Sequence, residues 1–167
     1  QKDLLKIQKR LPETIIITYV LACLKSILSY PLALPAIIYH FPFFLVNIKT
    51  LLSEKSLKLS HRDLYANNII KNKKNVTVLD FALCALTVPY YEQIAILINH
   101  WGEKEARSAY EKQLTVLKQT DAHALKRFQL LSIAIATHHL TDSNLPKQKV
   151  KLYCDFLIKF KSNKNNN

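Results

Sequence analysis

The hydrophobic pattern of this 167-residue chain changes period in its middle, and that change constrains the fold more than any other feature. Apolar residues recur at helical spacing on both sides, whereas Leu57–Leu59 alternates and Val76–Leu79 is rich in β-branched side chains. Asn72–Asn75 separates the second of these segments from the apolar pair Ile69–Ile70 and is typical of a turn. The sequence therefore predicts an α+β, mainly helical domain with a small β-hairpin.

Proline, glycine and capping residues bound the predicted helices. Asp121 is expected to be the N-cap of one of them, and Gly102 to end another. The helical candidates are Asp3–Leu11, Thr14–Leu28, Tyr90–Trp101, Glu103–Lys118, Asp121–His139 and Pro146–Lys161. We expect residues 1–161 to form one domain and the polar residues 162–167 to be a disordered tail. The chain begins at Gln1, without an initiator methionine and without a leader-like segment. We therefore expect it to be an excerpt of a longer protein.

No formal charge occurs between Lys25 and Lys49, and a run of this length passes the length criterion for a membrane span. Pro31, Pro35 and Pro42 interrupt the run, and its apolar residues continue with helical periodicity into a charged segment. We interpret the region as a buried core helix, and contact with a membrane surface stays open as the alternative.

The net charge of +12 favours polyanionic partners such as nucleotide phosphates, nucleic acid or acidic lipid headgroups. The lysines are scattered along the chain rather than clustered, so we expect a solvated basic surface and no nucleic-acid partner. Cys23, Cys84 and Cys154 are odd in number and widely spaced, which indicates neither a disulfide framework nor a zinc site. Buried thiols in a reducing, cytoplasmic protein are expected.

The candidate functional residues lie in the middle region: His61, Arg62, Asp63, Asn68, Asp80 and Phe81. Phosphoryl transfer requires a carboxylate beside the acceptor hydroxyl, for which Asp63 is the candidate, and oxygen ligands that hold magnesium against a triphosphate. Asn68 and Asp80 are candidates for those ligands, since a hairpin can bring both to one metal ion. We expect His61 to anchor the loop by a hydrogen bond to the backbone near Asp80.

The pattern H-R-D-L-x-x-x-N, followed by D-F, resembles the catalytic loop and metal-binding motif of the protein-kinase-like superfamily. The short distance from Asp63 to Asp80 is more similar to the aminoglycoside phosphotransferase and choline kinase group, or to lipopolysaccharide kinases, than to protein kinases. The resemblance implies the C-terminal lobe of a kinase-like fold and magnesium-dependent transfer of the γ-phosphoryl group of ATP to a hydroxyl of a small molecule or sugar. It implies that Asp63 accepts the acceptor's proton, that Asn68 and Asp80 bind Mg²⁺ and ATP, and that His61 and Arg62 complete the catalytic loop.

The chain departs from that family pattern in several places. Phe81 is followed by Ala82 rather than glycine, and Arg62 has no activation-loop phosphate to pair with, so it either stabilises its loop or faces an acidic substrate. Related small-molecule kinases often have Asp-Leu-Ala in the next helix, whereas this chain has Gln93-Ile94-Ala95 with Glu92 beside it. The support of the catalytic loop is therefore in doubt.

With a single glycine, Gly102, nothing in the chain corresponds to a nucleotide-covering N-terminal lobe. We expect these residues alone to bind ATP poorly and to turn over negligibly. Two alternatives remain open, namely a catalytically inactive kinase-like binding module and a membrane-associated kinase acting on a lipid or lipopolysaccharide. The sequence does not identify the acceptor.

Overall fold

Six α-helices and five short strands make up the part of the chain that the structure describes. The computed structural model describes residues 8–9, 12–62, 64, 68–73 and 75–162. The helices are α1 (Pro12–Ser29), α2 (Leu34–Leu52), α3 (Tyr91–Asn99), α4 (Lys104–Thr120), α5 (Ala122–His139) and α6 (Lys147–Ser162). The strands are β1 (Gln8–Lys9), β2 (Lys58–Ser60), β3 (Ile69–Lys71), β4 (Val76–Val78) and β5 (Ala85–Thr87). The predicted α+β, mainly helical class is confirmed.

Helix α5 lies at the centre of the helical region and packs against α1, α2, α3, α4 and α6. Every residue from Leu130 to Thr137 is buried, and short side chains such as Ala134 and Ala136 allow the surrounding helices to approach closely. The helix begins as the sequence predicts, because Asp121 Oδ1 accepts a hydrogen bond from the Ala124 N–H at 2.9 Å. That hydrogen bond, more than any other contact, lowers the pKa of Asp121.

Helices α1 and α2 each bury one face against the rest of the molecule. Tyr19 and Phe44 are both buried and stack on each other with ring centroids 3.8 Å apart, and Leu51 is buried as well. Leu28 and Val46 point the other way and are largely exposed. The prediction of a buried core helix is therefore confirmed for the inner face of α2 only.

Strand β5 is the central strand of a small three-stranded mixed sheet, since β1 pairs with it in parallel and β2 pairs with it antiparallel. The helix predicted over Asp3–Leu11 is wrong at Gln8–Lys9, which form β1 opposite Ala85–Leu86. Pairing with a distant strand outweighs the local helical spacing there. Residues 1–7 and 10–11 of that candidate lie outside the described residues. Strand β2 leads directly into His61.

Glu54 fixes the segment that connects α2 to β2. Its Oε2 lies 3.1 Å from Arg127 Nε of α5, and its Oε1 accepts a hydrogen bond from the Ser56 N–H at 2.8 Å. Although burial raises the pKa of Glu54, the hydrogen bonds from Ser56 and the charge of Arg127 outweigh it and lower the pKa below its usual value. The segment that leads into β2 and His61 is thereby tied to the central helix.

Strands β3 and β4 form the predicted hairpin, with Ile69 paired to Val78. Its turn is closed by hydrogen bonds in both directions: the Asn72 N–H donates to the Asn75 carbonyl at 3.0 Å, and the Asn75 N–H donates to Asn72 Oδ1 at 2.8 Å. At the end of the chain, α6 extends through Ser162, one residue into the predicted tail. Residues 163–167 of that tail lie outside the described residues.

Candidate functional site

Leu79 joins the hairpin to Asp80, the second of the two predicted magnesium ligands. Its N–H donates to the Asn68 carbonyl at 2.8 Å, which continues the β3–β4 pairing by one step beyond Ile69 and Val78. Asp80 follows directly in the chain. Asn68 and Asp80, twelve residues apart in sequence, are therefore brought to the same open end of the hairpin.

His61 is held against the same backbone. Its Nε2 lies 2.7 Å from the Leu79 carbonyl, which can only accept, so Nε2 carries the proton and donates. The imidazole also packs edge-on against the ring of Phe81, with centroids 4.8 Å apart. The predicted hydrogen bond of His61 to backbone beside Asp80 is confirmed, and a ring nitrogen committed to it is not available as a proton acceptor.

Glu92 in the first turn of α3 binds the segment from Ser60 to Arg62. Its Oε2 accepts a hydrogen bond from the Arg62 N–H at 2.8 Å and another from the hydroxyl of Ser60. Gln93, where the family resemblance would place the supporting side chain, instead contacts Gln113 on the surface, with 3.3 Å between Nε2 and Oε1. A carboxylate therefore reaches this segment from the residue that precedes Gln93.

Ser60 and Glu92 are the contributors that sequence reasoning missed. Ser60 is buried at the end of β2, and Glu92 follows a proline-tyrosine-tyrosine turn in which Tyr90 has a left-handed backbone, with φ of 73°. The sequence shows only that Glu92 is an acidic residue in the first turn of a predicted helix. Acidic residues are common at that position in helices, so this signal does not single out Glu92. Only the packing of α3 beside β2 gives that residue its role.

Arg62 and Asp80 both have left-handed backbone conformations, with φ of 68° and 54°. Such conformations are uncommon outside glycine and cost free energy, so the surrounding hydrogen bonds must hold them in place. The side chain of Arg62 turns toward the segment after Asp80, where Nη1 donates to the Leu83 carbonyl at 3.4 Å. Of the two roles considered for Arg62, this contact supports stabilisation of the loop. Strained residues of this kind concentrate at functional sites.

Asp63, the expected proton acceptor, lies outside the described residues. Among those that the structure describes, no three His, Cys, Asp or Glu side chains converge as metal ligands. Asn68 is half-buried and Asp80 is exposed, and together they offer an amide oxygen and a carboxylate. Magnesium commonly takes only one or two protein ligands and fills its remaining positions with phosphate oxygens and water. An amide oxygen and a carboxylate are both ligand types that Mg²⁺ accepts.

The cysteines contribute no chemistry to this region. Cys23 and Cys154 are buried and Cys84 is half-buried, and none of the three forms a disulfide. Burial raises the pKa of the Cys23 and Cys154 thiols, which disfavours the reactive thiolate. The prediction of buried thiols is confirmed for these two.

Comparisons with protein-family models, curated proteins and solved structures find no match to this chain. The assignment of a function therefore depends on the residues and the geometry of the site described above.

Proposed function

We propose that this chain carries the catalytic region of an ATP- and magnesium-dependent phosphotransferase whose acceptor is a hydroxyl of a small molecule or sugar. The observation that carries the proposal is the double connection of Leu79, whose N–H binds Asn68 and whose carbonyl binds His61. Both predicted metal ligands and the entry to the catalytic loop thus meet at one end of the hairpin. The motif residues that the structure describes, His61, Asn68, Asp80 and Phe81, share that end, and an accidental occurrence of the motif would give them no reason to do so.

Each residue has a distinct role in the proposed reaction. Asn68 and Asp80 hold Mg²⁺, which supplies positive charge beside the triphosphate when it is bound. Asp63 orients the acceptor hydroxyl and takes its proton as the hydroxyl oxygen bonds to the γ-phosphorus and the bridging bond to ADP breaks. His61 keeps the segment around Asp80 in place through its hydrogen bond to the Leu79 carbonyl.

The proposal is supported by the exposed apolar side chains on either side of Asp80. Leu79, Phe81 and Leu83 are all exposed although they are large and hydrophobic. Surfaces of this kind mark binding sites for a ligand or for another segment of protein. A nucleotide base or a covering lobe would bury them.

Substitution of Asp63 by Asn in the complete protein tests the assignment directly. Turnover of ATP in the presence of an acceptor should fall by roughly 10²–10⁴-fold, because the hydroxyl loses its proton acceptor. The affinity for ATP, measured by calorimetry, should change little. The matched control is Asp155→Asn on the exposed surface of α6, which should leave turnover unchanged. Survival of turnover in Asp63→Asn would remove Asp63 from the mechanism.

Asp80→Asn tests the metal site separately. The magnesium concentration that half-saturates turnover should rise, because the site loses its negative charge. A thermal shift of the unsubstituted protein with magnesium and ATP, but no turnover with any hydroxyl acceptor, would instead indicate a kinase-like module that binds without catalysis.

A further inference from the structure

The outward sides of α1 and α2 form a continuous hydrophobic surface that we call the apolar face. Ile17, Leu21, Leu24 and Leu28 recur at helical spacing along α1, and their counterparts on α2 and in the connecting turn are between 36% and 86% exposed. The apolar face consists of Ile17, Leu21, Leu24, Leu28, Leu32, Leu34, Ile38, Leu45 and Val46. Because α1 and α2 pack on each other and both pack on α5, the sides facing away from α5 lie together.

The exposure of this face is unusual for a folded domain. Leu28, Leu32 and Val46 are 83%, 86% and 81% exposed. Scattered exposed leucines are common, but soluble monomers rarely present contiguous apolar patches beyond a few hundred Å². A surface that extends along two helices of 18 and 19 residues therefore calls for an occupant.

Hydrogen bonds on the inner sides of the two helices decide how they could meet a membrane. The segments 12–29 and 31–52 are both long and apolar enough to span one, with 33% and 28% of their residues buried in the protein. Ser26 Oγ, however, donates to the Thr137 carbonyl of α5 at 3.0 Å, and His40 Nε2 is bonded to the Leu157 carbonyl of α6. These contacts tie one side of each helix to the protein core. The helices are thus arranged to lie along a surface rather than to cross it.

Charge and composition favour a lipid surface over a protein partner. The nine side chains are all aliphatic, whereas the energetic centres of protein interfaces are rich in Trp, Tyr and Arg. Lys25 and Lys49 are exposed at the border of the face, and Glu13 in the first turn of α1 is the one acidic residue of the two helices. The chain as a whole carries a net charge of +12. Aliphatic side chains bordered by lysines match the acyl boundary and the headgroups of an anionic bilayer.

We propose that the apolar face docks on the surface of a bilayer that contains anionic lipids, with α1 and α2 parallel to the membrane plane. The leucine and isoleucine side chains enter the boundary between headgroups and acyl chains. Lys25 and Lys49 remain at the level of the lipid phosphates. This docking does not require the phosphotransferase activity and can be tested without it.

Vesicle co-sedimentation of the 167-residue chain tests the proposal. The chain should sediment with vesicles of phosphatidylcholine mixed with phosphatidylglycerol, should bind pure phosphatidylcholine more weakly, and should be partly released by salt. The double variant Leu24→Gln with Leu28→Gln should bind the mixed vesicles at least about tenfold more weakly, because two apolar side chains that enter the bilayer are replaced by polar ones. The control pair Val76→Gln with Val116→Gln, exposed residues of β4 and α4, should bind as the unsubstituted chain does.

Several results would overturn the proposal. The unsubstituted chain could stay in the supernatant with both kinds of vesicle, or Leu24→Gln with Leu28→Gln could bind as well as the control pair. A chain that is dimeric by light scattering, becomes monomeric in the leucine variant and ignores vesicles would show that a second copy covers the face. Should the leucine variant lose its helical circular dichroism, Lys25→Glu with Lys49→Glu replaces it, and an undiminished preference for phosphatidylglycerol in that variant would refute docking through this face.

Discussion

Glu92 shows how a single side chain can hold a loop in place from a distant helix. Its carboxylate accepts hydrogen bonds from the Arg62 N–H and from the buried Ser60 hydroxyl. Glu92→Ala leaves both donors without this acceptor, so the free energy of unfolding should fall by about 1–3 kcal/mol. Glu92→Gln keeps one acceptor oxygen and should lose less. Denaturant unfolding measures both, with Glu103→Ala as the control.

Glu103 suits that comparison because its side chain is 61% exposed and its ion pair with His100 lies on the surface, so its removal should change stability by no more than about 0.5 kcal/mol. Equal losses in Glu92→Ala and Glu103→Ala would contradict the supporting role of Glu92. In the complete protein, Glu92→Ala should also lower turnover more than Glu92→Gln, since Arg62 precedes Asp63, the proposed catalytic carboxylate, in the chain.

His139 makes the stability of the fold depend on pH. Burial, followed by the charges of His138 and Lys149, lowers its pKa from 6.5 to about 4, and its ring stacks on Tyr153. Below pH 6.5 the unfolded chain takes up a proton that the folded chain refuses until about pH 4, so stability falls through that window. At pH 5 the loss from this group is about 2 kcal/mol.

The variant His139→Phe keeps an aromatic ring on Tyr153 and removes the titration. The difference in unfolding free energy between pH 7 and pH 5 should therefore be about 2 kcal/mol smaller in His139→Phe than in the unsubstituted protein. His123→Gln, an exposed residue of α5, is the control and should retain the full difference. Chemical unfolding at both pH values decides the matter, and an unchanged difference in His139→Phe would exclude His139 as the source.

At the scale of elements, an aromatic cluster joins α4, α5 and α6 with the residues that flank α3. Phe128 of α5 contacts Tyr90 and Tyr110, and Tyr110 in turn contacts Trp101 and Phe156 of α6. All of the cluster except Tyr90 is buried. Burial also raises the pKa of Tyr110 well above its usual range, so its hydroxyl stays neutral. The cluster fixes α4 and α6 to the central helix.

Phe128→Ala should destabilise the protein by about 3–5 kcal/mol, because it removes a fully buried ring and leaves a cavity among the remaining aromatic side chains. Val116→Ala on the exposed side of α4 should cost no more than about 0.5 kcal/mol. Thermal or denaturant unfolding provides the comparison. A loss below about 1 kcal/mol in Phe128→Ala would mean that the cluster does not join the helices as described.

At the scale of the whole molecule, the described residues form a helical body with a small sheet and one hairpin, and the proposed site lies at the end of that hairpin. We expect the 167 residues alone to show negligible magnesium-dependent ATP consumption, because phosphate positioning in kinase-like enzymes requires a second lobe. A coupled ADP-release assay measures this, with the complete protein as the positive control. Substantial turnover by the 167 residues alone would overturn the expectation while leaving Asp63, Asn68 and Asp80 in their proposed roles.

The sequence by itself determined the features that depend on residues close together in the chain. These features are the helices after Pro89, the hairpin with its asparagine turn, and the N-cap at Asp121. These follow from propensity, periodicity and hydrogen bonds between residues a few positions apart. The sequence also made His61, Asn68 and Asp80 candidates, and the phosphotransferase chemistry assigned to them stays a prediction.

Tertiary structure alone decided which acidic side chain supports the loop, that Gln8–Lys9 form a strand, and that α1 and α2 leave one side uncovered. The physical reason is distance along the chain. The hydrogen bonds of Glu92 to Ser60 and Arg62 join residues 32 and 30 positions apart, and β1 pairs with a strand near residue 85. Such contacts join segments that are distant in sequence, so no local pattern specifies them.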